Sequence, residues 1–257
     1  MLKHRFFFAL HALLLLIFIS GSANGQETET DVSSDSSTAM NVLQQMGDYL
    51  KSAEQFHFHA EVTVDKVRNS GQKLQFERTL DAYVRRPNKI RVNVLTELGP
   101  VRFSHDGKKI TLFTLYDDAY ATSEAPAAID EALDFAVEKF GIPILMADFL
   151  FSDPYRVLTE NVVTAHYVGI DRVRGKECHH LAFTQETIDW QIWIDAGETA
   201  LPQKLVITYK QEPGQPQFSG VFTEWNLSSQ LPDLFFTFKA PAGANEFQFF
   251  SEITLFK

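Results

Sequence analysis

His57, His59 and Glu61 alternate along an extended stretch, so their side chains share one face. Two imidazoles and a carboxylate at that spacing can hold zinc or copper. The opposite face carries Phe56 and Phe58, which puts the histidines on a polar exterior and favours a solvated face over a metal site. Cys178, His179 and His180 offer a nucleophile or a second ligand set. Along a strand, however, Cys178, His180 and Ala182 share one face and His179, Leu181 and Phe183 the other, so the triplet converges only through a bulge. A catalytic Cys–His pair also needs a third, orienting group, and the sequence identifies none. A buried free Cys beside a hydrogen-bonded His is the plainer reading. His105 adjoins an Asp106-Gly107 turn and reads as a turn neighbour rather than a base. Asp117, Asp118, Glu124, Asp130 and Glu131 lack the regular spacing and the Gly of a calcium loop. They read as a solvated turn and an acidic helix start, which the helix dipole favours. No GxSxG, HExxH, Gly-rich phosphate loop or dinucleotide fingerprint occurs. The expectation is a chain with no catalytic residue, no metal and no cofactor.

Composition agrees with that bland chemistry. Of 257 residues, 45% are hydrophobic and 22% charged, as in ordinary globular chains. The formal charge of −10 argues against a nucleic-acid partner, because phosphate neutralisation needs a basic surface. One Cys excludes an intrachain disulfide framework. The anomaly is 23 Phe against 7 Tyr and 3 Trp.

Lys3 and Arg5 precede an apolar run, Phe6 to Ile19, followed by the small residues of Ser20–Gly25. That pattern predicts a cleaved export signal over residues 1–25 and a periplasmic destination; the run is shorter than the ~18–20 residues that cross a bilayer. Removing it leaves 21 basic and 33 acidic residues, a net of −12, and no later segment is apolar enough to span a membrane. Residues 26–38 are small, polar and acidic and read as a flexible leader, with one domain over 39–257.

Within that domain, Met40, Leu43, Met46, Tyr49 and Leu50 predict a helix over 39–52. Alternating apolar residues then predict strands over 56–64, 74–84 and 90–94, and a hairpin over 103–114 turned by Asp106-Gly107. Ile129, Ala132, Leu133, Ala136, Val137 and Phe140 predict a second helix, stopped by Gly141 and Pro143. Residues 144–151 are apolar on both faces. Strands resume around 162–170, 178–184, 189–195, 203–210 and 218–227. The sum is an α+β fold with about 10–11 strands in one large, curved antiparallel sheet, an N-terminal helix and a central helical segment.

Two stretches, YVRRPNK (83–89) and HDGKKITLFTLYDDAYAT (105–122), resemble the periplasmic lipoprotein-carrier (LolA-like) superfamily. Three more are closest to a group of predicted bacterial periplasmic proteins without an assigned activity: IDEALDFAVEKFGIPILMADFLF (129–151), RGKECHHLAFTQETIDWQIWID (174–195) and LPDLFFTFKAPAGA (231–244). The resemblance implies an incomplete antiparallel β-barrel, apolar inside and closed by helices as a lid. It also implies a non-catalytic protein that binds acyl chains and depends on an inward-facing Arg, here Arg86. The longer central helix and the RGKECHHLAF segment depart from the dedicated carriers. Strand parity puts Arg86, and more unusually Arg78, on the apolar face, where each can instead snorkel to the rim or pair with an acid such as Asp117. The expected cavity is lined by Phe56, Phe58, Phe76, Arg86, Val92, Phe103 and Leu112, with Leu145, Met146 and Phe149 as lid. The expected partner is a hydrophobic ligand, an acyl chain or lipid. The alternative is a filled barrel that docks envelope proteins, and a metal-dependent enzyme is the least favoured reading.

Overall fold

The structure is a computed structural model, and it describes residues 29–249. The expected export segment over residues 1–25 lies outside the described residues. Twelve strands form a single curved, unclosed sheet. Six run as a meander: β1 (Gln55–Val67), β2 (Lys73–Arg85), β3 (Lys89–Thr96), β4 (Gly99–His105), β5 (Lys109–Thr114) and β6 (Ala119–Glu124). A second meander holds β7 (Thr164–Val173), β8 (Lys176–Thr184), β9 (Ile188–Asp195), β10 (Pro202–Tyr209) and β11 (Gln217–Asn226). The two join where β1 pairs with β11, so β7 is left as one edge. The other edge, β6, is covered by the two-residue β12 (Asn245–Glu246), the one parallel pairing among the described strands.

Alternation follows burial closely. Phe56, Phe58, Ala60 and Val62 of β1 point to the covered inner face, opposite Val84, Ala82, Leu80 and Arg78 of β2. A bulge sets Thr223 and Glu224 against His59 alone, so Phe222 and Trp225 both reach the inner face on either side of it. Their rings stack 5.1 Å apart and meet Phe58 at 5.2 and 4.8 Å.

The link between the meanders crosses the inner face. It consists of α2 (Ile129–Phe140), a 3₁₀ turn (Ala147–Phe149) and α3 (Pro154–Thr159). Gly141, in a left-handed conformation (φ 62°), donates its N–H to Val137 O and ends α2 where the sequence places the stop. The first helix, α1 (Glu29–Ser52), buries Leu43, Met46 and Leu50 and packs against α3 and β7. It begins ten residues before the expected start, so the stretch read as a leader is helical from Glu29. Asp35 anchors this extension: its carboxylate accepts the Tyr167 N–H at 3.1 Å and pairs with His166.

Residues 231–247 strap the outer face, with α4 (Asp233–Phe236) at their start. Arg85 donates to Leu231 O at 2.6 Å and pairs with Asp233. Arg91 donates to Phe235 O and lies 4.4 Å from that ring's centroid. Phe238 packs between Phe113 and Tyr120.

Candidate functional site

The middle of the inner face is solid. Phe56, Phe58 and Phe149 are fully buried, and Phe149 meets Phe222 edge-on at 5.1 Å. These three belong to the core rather than to a cavity wall. Towards the hairpin ends the lid and sheet separate and leave a cavity of about 350 Å³. Val92, Phe103 and Leu112, together with Val94, Val101 and Phe218, form its sheet wall. Leu145 faces them from the lid, with Ile142, Pro143 and Ile144 beside it. Four of the ten expected lining residues thus meet in one cavity: Val92, Phe103, Leu112 and Leu145.

The other expected positions have different surroundings. Met146 is buried with its thioether against Gly220, outside the cavity wall. Phe76 does share a face with Val64, its β1 partner, but lies beyond the cavity under the Lys66 ammonium, 4.7 Å from the ring centroid. Arg86 lies along the lid's underside. Its guanidinium donates to Phe151 O at 2.9 Å and to Leu150 O at 3.4 Å, and sits 5.6 Å from the Phe56 centroid. Burial lowers its pKa, and Asp130 opposes that shift. Asp130 in turn accepts the Ser152 N–H at 2.7 Å and the Ser152 hydroxyl at 2.6 Å.

Polar groups ring the cavity. Arg78, Lys66, Tyr209 and Glu212 line it, and Leu98 and Tyr116 stand exposed at its mouth. Burial pushes the Tyr209 hydroxyl up to about 12, aided by Glu212 and Asp148, and also raises Glu212. Asp148, in the 3₁₀ turn, is lifted by burial to about 6, against a lowering hydrogen bond from its own backbone. Parity along 203–210 places Tyr209 with Leu205 and Ile207. Asp148 is legible only as a lone acid in an apolar run.

The imidazoles are taken up in local structure. His57 and His59 both reach Asp81 Oδ1, at 3.4 and 2.8 Å, and His57 stacks on Tyr83. His105, fully buried, bridges Lys109 O and Ala127 O. Cys178 is buried beside Val173 and Trp193, and burial raises its thiol pKa. His180 stacks on Trp193 and bonds Gln191, while His179 bonds the Tyr167 hydroxyl. Among the described residues no group of three or more His, Cys, Asp or Glu side chains is arranged to hold a metal ion. A second cavity, about 300 Å³ on the outer face, is walled by Ser104, Thr111, Thr122 and the strap residues Phe236 and Phe238. Thr111 and Thr122, cross-strand partners in its wall, already bond each other at 3.0 Å.

The unclosed, curved sheet with its helical segment is an open half-barrel of the α+β class. Residues 39–250 match the family described as predicted periplasmic protein (DUF2092), and the chain belongs to that family. Its place among predicted periplasmic proteins agrees with the expected destination. No helix of the described residues is long and apolar enough to cross a membrane.

The fold is similar to that of an uncharacterized conserved protein from Thermus thermophilus: TM-score 0.50 and 11% identity, over 82% of this chain and 99% of that one. Further solved structures are the lipoprotein LppX of Mycobacterium tuberculosis (TM-score 0.48, 13% identity, 76% and 99% covered) and a LolA superfamily protein of Nitrosomonas europaea (TM-score 0.40, 8% identity, 77% and 97% covered). No curated protein matches the chain.

Proposed function

We propose that this is a non-catalytic periplasmic protein that binds an apolar ligand, a lipid or a lipoprotein acyl chain, between sheet and lid, in the manner of a carrier. The supporting observation is the cavity of about 350 Å³, with Val92, Val94, Phe103 and Leu112 facing Ile142, Ile144 and Leu145. Its volume lies at the lower end of small-molecule sites, ~300–1,000 Å³, which suits one acyl chain. Each buried methylene contributes ~0.8 kcal/mol and micromolar affinity needs ~8 kcal/mol, so about ten carbons suffice before association costs. The test is mass spectrometry of molecules that stay on the gently purified mature protein. Lipid is expected in the organic extract of the wild type and absent from Leu112→Glu. No bound lipid, with no displacement of a hydrophobic dye by fatty acid, overturns the reading.

A second reading, an envelope interaction module, draws on β7, an open edge strand with Val168 and Ile170 about half exposed (48% and 56%). It predicts capture of an envelope protein that is lost with Ile170→Lys and unaffected by Leu112→Glu.

A further inference from the structure

Arg78 is out of place for a wall built to hold hydrocarbon. It pairs with Val62 across β1–β2, which puts it on the inner face, and its side chain is only 6% exposed. Arginine is rarely buried that far without a purpose, because desolvating a guanidinium costs several kcal/mol. An apolar residue of similar volume at such a place is commonly neutral or stabilising. Stability alone is a weak reason for a charge at this place.

Two features say what it faces. Arg78 lines the cavity, and so does Lys66 of the neighbouring strand. Both are held by one carboxylate outside the lining: Glu97, in the β3–β4 turn, lies 3.2 Å from Arg78 Nη2 and accepts from Lys66 Nζ at 2.5 Å. Burial pushes the Glu97 pKa up, but the Lys66 hydrogen bond and the charges of Arg78 and Lys66 outweigh it and keep the group ionised. Glu97 thus pairs with both cations, and both side chains line the cavity.

The acids that line the same cavity are Asp65, Asp117 and Glu212, whereas Arg78 and Lys66 both pair with Glu97. Asp117 is exposed at the mouth, and Glu212 is a partly buried lining residue that follows β10. Asp65 lies on the other face of β1, where it accepts the Gln217 N–H and sits 3.9 Å from Lys73 Nζ. On the inner wall the buried cation is Arg78, with the partly exposed Lys66 beside it.

Building on the apolar-ligand reading above, we infer that the cavity takes a single-chain amphiphile with an anionic head, seated on Arg78 and Lys66, with its chain running between Phe103 and Leu145. A guanidinium with an ammonium beside it recognises a carboxylate or a phosphate monoester through charge-assisted hydrogen bonds. Both heads share that chemistry, and direct comparison separates them.

The test is calorimetric titration of the delipidated mature protein with dodecanoate, dodecyl phosphate and dodecanol, which share one chain. At least one anion is expected to bind about tenfold or more tighter than the alcohol, as charge-assisted bonds in a desolvated site require. The tighter of the two identifies the head. Arg78→Met and Lys66→Met should collapse the gap, bringing the anions' affinities about tenfold down relative to that of dodecanol. Glu97→Gln should widen it, because the two cations lose their internal counter-charge; a purely structural ion pair would lower thermal stability and leave the anion-to-alcohol ratio as it was. If Arg78→Met does not fold, Lys66→Met and Glu97→Gln decide. Equal binding of anions and alcohol overturns the head-group inference alone and leaves an apolar site. Failure of all three probes overturns the apolar-ligand reading, and this inference with it.

Discussion

The thioether of Met146, where the lid turns into its 3₁₀ segment, rests on the bare Cα of Gly220 in β11. A Cβ built at Gly220 would lie 2.9 Å from Met146 Cε and 3.2 Å from its Sδ. Met146 adopts a left-handed conformation (φ 58°) that costs a non-glycine residue about 1 kcal/mol. A seat without a side chain offsets that strain and fixes the depth of the lid over the sheet.

Enlarging that seat should lift the lid. Gly220→Ala should change stability little, because a thioether end can swing aside and Ala suits a strand better than Gly. Gly220→Leu has no such escape and should cost about 1–3 kcal/mol by overpacking. Thermal denaturation and dye binding check this; a Leu variant as stable and as closed as wild type would refute the seat.

Arg86 is the second fastening. Arg86→Met leaves the carbonyls of Leu150 and Phe151 without their guanidinium donors. The expected loss is about 2–3 kcal/mol, the worth of hydrogen bonds to a charged group whose partners stay buried. Arg86→Lys should recover only part, since an ammonium lacks the planar fork that spans two acceptors. Hydrogen exchange of amides 144–152 should quicken in Arg86→Met, and unchanged protection would refute the latch.

These fastenings explain which parts of the molecule the sequence could reveal. The inner and outer faces of β1–β3 were legible because one face meets water, so alternation records burial. Helix α2 was legible from its apolar spacing and its Gly-Pro stop. The filling of the barrel was not. Phe56 and Phe103 both face inward, yet one is core and the other cavity wall, because the lid sinks beside Phe149 and rides high at Leu145. Parity carries no such depth. The same limit misplaced Phe76, inward-facing but past the end of the lid. The first ten residues of α1 lack an apolar stripe and are held by Asp35 reaching Tyr167, 132 positions away. The surplus of Phe is likewise divided: some rings form the core, Phe103 and Phe218 border the cavity, and Phe235, Phe236 and Phe238 strap the outer face.

Asp148 should make lid closure depend on pH. Its pKa rises from an ordinary 3.8 to about 6 on folding, through burial. Below the unfolded value both states are protonated and nothing is lost. As pH rises from about 4 to 6 the unfolded chain releases its proton first, and the folded state is progressively penalised. Above about 6 the penalty is complete, on the order of 2–3 kcal/mol. Asp148→Asn should therefore be more stable than wild type at pH 7.5, with the advantage fading toward pH 4. Ligand release should be faster at pH 7.5 than at pH 5 in the wild type, and the difference should be smaller in the variant. A constant stability difference across that range would refute the assignment.

Gly47 sets two ordinary rules against each other. It lies inside α1, where replacing Gly by Ala normally stabilises a helix by about 1 kcal/mol. Here a Cβ would stand 2.5 Å from Tyr155 Cβ, 3.0 Å from Tyr155 N and 3.1 Å from its Cα. Those atoms open α3 and cannot swing aside as a side-chain tip would. The same seam carries the Lys51–Asp153 ion pair at 2.7 Å, with Asp153 capping α3 by accepting the Arg156 N–H. Steric cost should win: Gly47→Ala is expected to lose about 1–3 kcal/mol net, a fall of ~2–4 °C in Tm for each kcal/mol in a chain of this size. Because α3 directly follows the lid, exchange protection of amides 144–152 should fall as well. A Gly47→Ala protein with raised Tm would mean that the helices part without cost and that α1 does not hold the lid's far end.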